Sequence, residues 1–297
     1  MKKFFNAIRG MIVFILLVIN MLVSVSTIYL FAIVYSIMPV KKLRLYFYQK
    51  MQNINYYWTG INKFILNTFT STQWVLQGKD KLSPDQWYLL TANHRAWTDI
   101  IVVYKMLYNQ LPPFKFFLKK ELIWQIPFAG IGCWCLDFPF LIRHTKEAIR
   151  KHPELKNKDI ETTRKACDKF KLSPCTIINF AEGTRFTPEK HSKQNSPYQQ
   201  LLKPKSAGIG LVLEEMKNHI HELVDVTIKY SDTHPTFWHL ISGQIKKITV
   251  AYRIVPVSSD LIGNYYEDRE FRKHIQNWLN HLWEEKEKIL NGLNDLN

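Results

Sequence analysis

Not one aspartate or glutamate occurs between Met1 and Lys79, although nine lysines and arginines do. A stretch without acids cannot pair its cations internally, so nine of the fifteen net positive charges look outward to another partner. Cysteine is scarce as well. The four present, Cys133, Cys135, Cys167 and Cys175, make no disulfide framework, and C-W-C lacks the C-x-x-C spacing of zinc or redox sites. They read as reduced, mostly core thiols on the cytosolic side. There is no G-x-S-x-G nucleophile elbow and no H-E-x-x-H helix. His219, His221, His234 and His239 are irregularly spaced and read as solvated or core residues, so no metal and no other cofactor is expected. The +15 charge comes without an RNP-like aromatic pattern, a helix-turn-helix signature or a zinc finger, so nucleic acid is not an expected partner. Repeats and low-complexity tracts are also missing. With 46% hydrophobic residues in 297, a disordered or fibrous chain is excluded.

What is present begins with an apolar run. No charge falls between Arg9 and Lys41, and Met11 to Met38 is almost wholly Ile, Leu, Val, Phe, Met and small polar residues. About 20 such residues cross a bilayer. The run is too long for a signal peptide, no small-x-small cleavage site follows, and Pro39 with Lys41, Lys42 and Arg44 reads as a stop, so an uncleaved anchor is expected. Leu43 to Leu76 is rich in Tyr, Trp, Phe and Asn and suits a helix at headgroup level, or one covering the globular part. Basic residues flank both ends of the anchor, which leaves a single span and a two-helix hairpin in one leaflet both open. The organisation expected is an anchor with an interfacial helix over 1–79 and a cytosol-facing domain over 80–297.

In that domain strand-length apolar runs alternate with helical patterns, which argues for an α/β layer architecture. Strands are expected at Trp87–Ala92, Lys115–Leu118, Cys175–Phe180, Val224–Tyr230 and Lys247–Ile254, with apolar residues on most helical faces over Thr98–Tyr108. Helices are expected at Asp159–Phe170 and Ser206–Met216. Phe271, Ile275, Trp278, Leu282 and Ile289 recur at helical spacing and mark a C-terminal amphipathic helix. Residues 144–158 and 186–203 are basic and interrupted by Pro153, Pro188 and Pro197, and read as loops.

Two short stretches carry chemistry. Asn93-His94-Arg95-Ala96-Trp97-Thr98-Asp99 leaves a buried strand and opens a helix, where an α/β fold turns side chains toward ligands. An Asp five positions after the His can reach one ring nitrogen, fix its tautomer and support the imidazolium, so that the other nitrogen removes a proton from an alcohol. Alone this spacing is weak, since ten His and eleven Asp in this length give roughly 0.4 chance matches. Taken alone, a structural His–Asp bond at a helix cap is the plainer explanation. Glu182-Gly183-Thr184-Arg185 follows the strand ending at Phe180. Gly183 permits a turn with close backbone approach, Arg185 offers a fork for phosphate, and Glu182 can orient that fork or a substrate hydroxyl. A surface turn with a local ion pair is the plainer alternative.

The two together, in this order, resemble the glycerolipid acyltransferase family, whose members make phosphatidic acid from 1-acyl-glycerol 3-phosphate or reacylate related lysophospholipids. The N-H-x-x-x-x-D motif matches Asn93, His94 and Asp99, and F-x-E-G-T-R matches Phe180, Glu182, Gly183, Thr184 and Arg185. A second block, with basic residues ahead of I-P-x-x-G, looks like Lys119, Lys120, Ile126, Pro127, Gly130 and Arg143. In place of the family's V-P-I-V-P-V block the chain has Leu223-Val224-Asp225-Val226-Thr227-Ile228, similar to a branch holding bacterial inner-membrane and animal lysophosphatidate and lysocardiolipin enzymes. The resemblance covers residues 75–260. It implies an α/β fold with a mixed sheet flanked by helices, behind an N-terminal membrane helix or two-helix motif. It also implies acyl transfer from acyl-CoA or acyl carrier protein (ACP) to lysophosphatidic acid, or to lysophosphatidylglycerol or lysocardiolipin, at the inner membrane. His94 would deprotonate the acceptor with Asp99 holding it. Arg185, with Lys119, Lys120 and Arg143, would bind the phosphate beside Glu182, Gly183 and Thr184, with backbone amides near Gly183 helping to hold an oxyanion. Trp97, Phe128 and Phe138 are candidate liners of an acyl tunnel, with ordinary core as the plainer reading. A membrane-tethered module that binds anionic lipid without catalysis is the competing class.

Overall fold

The computed structural model describes residues 1–125, 127–141 and 154–293. Two long helices come first, α1 (Lys2–Ile37) and α2 (Lys41–Phe69), which turns back along α1 after Pro39. Six strands then form one mixed sheet in the spatial order β1 (Gln73–Gln77), β8 (Lys247–Pro256), β7 (Ile220–Tyr230), β2 (Trp87–Ala92), β6 (Thr176–Asn179) and β3 (Phe114–Phe116). Neighbours are parallel except β7 and β8. β4 (Leu118–Lys119) and β5 (Phe140–Leu141) make a separate two-stranded ladder. The remaining helices are α3 (Thr98–Met106), α4 (Leu122–Gln125), α5 (Pro127–Cys135), α6 (Glu154–Phe170), α7 (Pro188–Gln194), α8 (Ala207–Glu215), α9 (Phe237–Ile241) and α10 (Arg269–Gly292).

The apolar run of β2 follows from burial on both faces of a largely parallel sheet. Alternate residues point opposite ways: Tyr88, Leu90 and Ala92 join the core beneath α1, α2 and α3, and Leu89 joins the core beneath α6, α8 and α10. α1 is long and apolar enough to cross a bilayer and measures about 54 Å at 1.5 Å per residue. It lies against the domain along much of that length. Near its start a Cβ on Gly10 would stand 2.9 Å from the Trp238 ring of α9, and in its second half Val25 packs on Gly132 of α5.

The strands expected at Trp87–Ala92, Cys175–Phe180, Val224–Tyr230 and Lys247–Ile254 are β2, β6, β7 and β8, and the expected helices are α6, α8 and α10. Three expectations need correction. The helix anticipated to Leu76 stops at Phe69, because Thr70 turns extended and the polar Thr70-Ser71-Thr72 link leads into β1. The sheet therefore starts within residues 1–79, which the sequence groups with the anchor. Lys115–Leu118 is split between β3 and β4. The stretch 186–203 is not all loop, since α7 begins at Pro188, where a missing N–H costs nothing, and the Thr187 hydroxyl accepts from Lys190 N at 3.3 Å. Of the other anticipated loop, only residues 154–158 lie within the described chain, and they belong to α6.

β7 is held by a buried ion pair. Lys286 of α10 reaches Asp225 at 2.5 Å and the Val226 carbonyl at 2.6 Å, and Arg253 of β8 takes the other carboxylate oxygen at 3.0 Å. Lys286 and Asp225 are essentially inaccessible. Removing one partner of such a pair leaves a buried charge, a loss of about 3 kcal/mol. Lys286→Met is thus expected to lower Tm by roughly 5–10 °C in a thermal unfolding scan of detergent-solubilised protein.

Candidate active site

The site forms where two neighbouring parallel strands, β2 and β6, end. Beyond β2, the Asn93 side chain keeps the chain beside β7, donating to the Ile228 carbonyl at 3.0 Å and accepting from its N–H at 2.8 Å. The next four residues turn into α3, and Asp99 sits in its first turn, fully buried. One Asp99 oxygen accepts from Arg95 N at 2.6 Å and Ala96 N at 2.9 Å, and lies 2.8 Å from His94 Nδ1. The other accepts from the Tyr230 hydroxyl at 2.6 Å, and Tyr230 also pairs with Thr98 Oγ1 at 2.9 Å. Because a carboxylate only accepts, Nδ1 carries the proton and Nε2 is the free, basic nitrogen. The imidazole stacks on Phe180 with ring centroids 4.3 Å apart. Its side chain keeps 17% exposure, enough for contact with a ligand. Burial and the Asp99 charge hold the Tyr230 hydroxyl well above its ordinary range, so it stays a donor.

Glu182 fastens the second strand end to the first. It is 1% exposed, and its two oxygens accept from the backbone N–H groups of His94 at 3.1 Å and Leu202 at 3.1 Å. The expected pairing with Arg185 is not made. Glu182 points inward, whereas Arg185 is exposed and lays its guanidinium 5.2 Å from the Trp97 ring centre. Gly183 takes φ +69°, a left-handed conformation suited to glycine, and its N–H donates to the Phe180 carbonyl at 2.9 Å, so the turn itself uses that amide. Phe186 N closes the loop onto the His94 carbonyl at 2.8 Å.

Around this turn sit cations that the sequence alone did not single out. Lys190 of α7 donates to Thr184 Oγ1 at 2.8 Å and to the Arg185 carbonyl at 3.0 Å. The Lys205 ammonium lies over Gly183, 3.4 Å from where a Cβ would be. Arg95 stacks 4.5 Å from the Phe186 ring, and burial lowers its pKa. Arg95, Arg185, Lys190 and Lys205 have no carboxylate ion pair among the described residues. For Lys190 and Lys205 the available signal was the excess of basic residues in the stretch that follows Arg185, and for Arg95 its place next to His94.

Other expected residues lie elsewhere. Lys119 is in β4, away from the six-stranded sheet. Lys120 lines a separate cleft of about 800 Å³ with Tyr35, Tyr48, Lys165 and Lys169, which none of His94, Glu182 and Arg185 lines. Arg143 and Ile126 fall outside the described residues. Trp97, Phe128 and Phe138 have different neighbours among the described residues. Trp97 lies beneath Arg185, Phe128 packs on Tyr29 at 5.2 Å, and Phe138 packs on Phe116 at 4.9 Å.

Desolvation pushes the Glu182 carboxyl up to about 8, against an ordinary 4.5. A raised acid pKa means that the folded state holds a proton the unfolded chain releases. Its contribution to stability is full below pH 4.5 and is lost as pH rises through 8. In Tm measurements across that window, wild type should lose stability with rising pH, and Glu182→Gln should flatten the slope.

The profile of a family described as "Acyltransferase" matches residues 73–230. Among curated proteins, the chain is 24% identical over 233 residues to an uncharacterized acyltransferase of Saccharomyces cerevisiae, covering 68% of this chain and 57% of that protein. It is 24% identical over 291 residues to probable 1-acyl-sn-glycerol-3-phosphate acyltransferase 5 of Arabidopsis thaliana, covering 92% and 72%. Against the 2-acyl-1-lysophosphatidylinositol acyltransferase of Saccharomyces cerevisiae the identity is 23% over 237 residues, covering 67% and 59%. The chain thus spans less than two thirds of either yeast protein. Among solved structures, the 1-acyl-sn-glycerophosphate acyltransferase PlsC of Thermotoga maritima has the same fold, with TM-score 0.57, 16% identity, and 96% and 98% of the two chains covered.

Proposed function

Because the chain belongs to the acyltransferase family, whose profile covers residues 73–230, we propose that it moves a fatty acyl group from acyl-CoA or acyl-ACP to the sn-2 hydroxyl of 1-acyl-sn-glycerol 3-phosphate. The products are phosphatidic acid and the free thiol. The observation that carries this reading is a histidine with its Nδ1 2.8 Å from a buried carboxylate, at the same strand ends as cations that make no carboxylate ion pair among the described residues. His94 Nε2 takes the acceptor's hydroxyl proton as the oxygen attacks the thioester carbonyl. The C–S bond then breaks, and the imidazolium returns the proton to the leaving thiolate. Asp99 fixes the tautomer and stabilises the imidazolium. Arg185, aided by Lys190, Lys205 and Arg95, holds the acceptor phosphate. A cluster of that charge suits a phosphomonoester, which carries about −1.5 to −2 at pH 7, better than a diester with one charge.

The protein works at a membrane surface. α1 contacts α9 near its start and α5 in its second half, so the domain lies beside α1 rather than beyond one end of it. That arrangement favours the hairpin in one leaflet over a single span. Phe4, Ile8, Ile15, Ile19 and Leu30 of α1 are exposed and would face lipid. The free cysteines suit an active site that opens to the cytosol at the inner membrane.

The test is transfer of labelled acyl groups in membranes that carry wild type or His94→Ala. The expected product is labelled phosphatidic acid from wild type and a loss of at least about 10³-fold in the variant. Labelling of lysophosphatidylglycerol, lysocardiolipin or lysophosphatidylinositol instead would move the acceptor and keep the chemistry. Full transfer by folded His94→Ala would refute the role of the histidine, and no transfer with either donor would favour a lipid-binding protein without catalysis.

A further inference from the structure

A cavity of about 340 Å³ lies between α1, α2, α3 and α9, away from the histidine. Its walls are apolar, with Leu17 and Val18 from α1, Trp58 from α2, Tyr104 from α3 and Leu240 from α9. Three lining residues are polar exceptions, Thr59, Asn62 and Lys105, and of these only Lys105 carries a charge. Lys105, the penultimate residue of α3, is only 5% exposed, and its ammonium lies 3.8 Å from the Trp74 ring centre. No carboxylate pairs with it among the described residues, and none pairs with Lys63 of α2, the second cation near it. The buried Trp74 Nε1 also has no acceptor among the described residues.

An ammonium taken out of water without a counter-ion is costly. Burial with Lys63 nearby pushes Lys105 down to about 8. The ring face and the carbonyl end of α3 offset part of that cost, but neither is an anion. The apolar walls above it fit a hydrocarbon chain. We propose that this cavity is a second lipid site, which takes a single acyl chain whose anionic head pairs with Lys105. The orientation follows from the cation, because a methyl terminus gains nothing from an ammonium whereas a carboxylate or phosphate does. The site is distinct from the catalytic one. Asp99 opens α3 and Lys105 closes it, about 9 Å further along the axis, and His94, Glu182 and Arg185 do not line the cavity. The inference does not rest on the catalytic reading.

The experiment is thermal unfolding of the full chain in dodecyl maltoside with palmitate, with neutral hexadecanol and with 1-palmitoyl-lysophosphatidate. Wild type is compared with Lys105→Met and with Leu17→Trp, which fills the cavity. Palmitate near 100 times its Kd is expected to raise the wild-type Tm by about 5 °C or more. Lys105→Met and Leu17→Trp should lose most of that shift, and hexadecanol should give little. The part of the lysophosphatidate shift lost in Lys105→Met, set against that for palmitate, identifies the head as phosphate or carboxylate. Equal shifts of wild type and Lys105→Met with both anions would overturn the proposal, as would equal shifts with palmitate and hexadecanol. Lys105→Met should retain acyl transfer, so failure here and failure of the catalytic reading give different results.

Discussion

The carboxylate of Asp99 is the constraint from which the site is built. A fully buried charge is unfavourable unless hydrogen bonds replace its water. Here the replacements come from three places: the His94 ring, the backbone of the turn at Arg95 and Ala96, and the Tyr230 hydroxyl on β7. Satisfying one side chain therefore fixes the end of β2, the start of α3 and the position of β7 against both. The first turn of a helix adds its own favourable field for an anion. Histidine orientation is then a consequence of the fold, and Nε2 is left as the one ring nitrogen with basic character.

Glu182 extends the same logic to the next strand. By accepting from His94 N and Leu202 N it joins the β6 terminus to the β2 terminus, which brings the Gly183 turn and its cations beside the imidazole. The pair of Lys286 and Asp225 steadies β7 from the opposite face. Two functions are thus separated in space. Buried acid groups set the geometry, while the rim carries cations that make no carboxylate ion pair among the described residues and that, on the reading proposed above, attract an anionic substrate.

Local patterns were the legible part. The alternation and length of β2, β6, β7 and β8, and the amphipathic spacing of α10, lie within single segments, as does the five-residue interval between His94 and Asp99. What stayed hidden depends on long-range register. Tyr230 lies 131 residues after Asp99, and only the parallel pairing of β2 with β7 brings it there. Glu182 read as a group that orients Arg185 or a substrate hydroxyl, yet the turn aims it inward onto His94 N and Leu202 N. Pro188 read as a breaker where it is a helix start. Lys105 is unremarkable in sequence, and its burial is set by segments distant along the chain, α2 and Trp74 of β1 among them.

The central claim is that Asp99 makes His94 a base, and replacing that carboxylate by the isosteric amide tests it most directly. Turnover of 1-acyl-sn-glycerol 3-phosphate by Asp99→Asn, in a protein whose Tm lies within a few degrees of wild type, should fall on the order of 10³-fold with KM little changed. An asparagine variant that keeps near-wild-type kcat would contradict the account, because the carboxylate would then be only a helix cap.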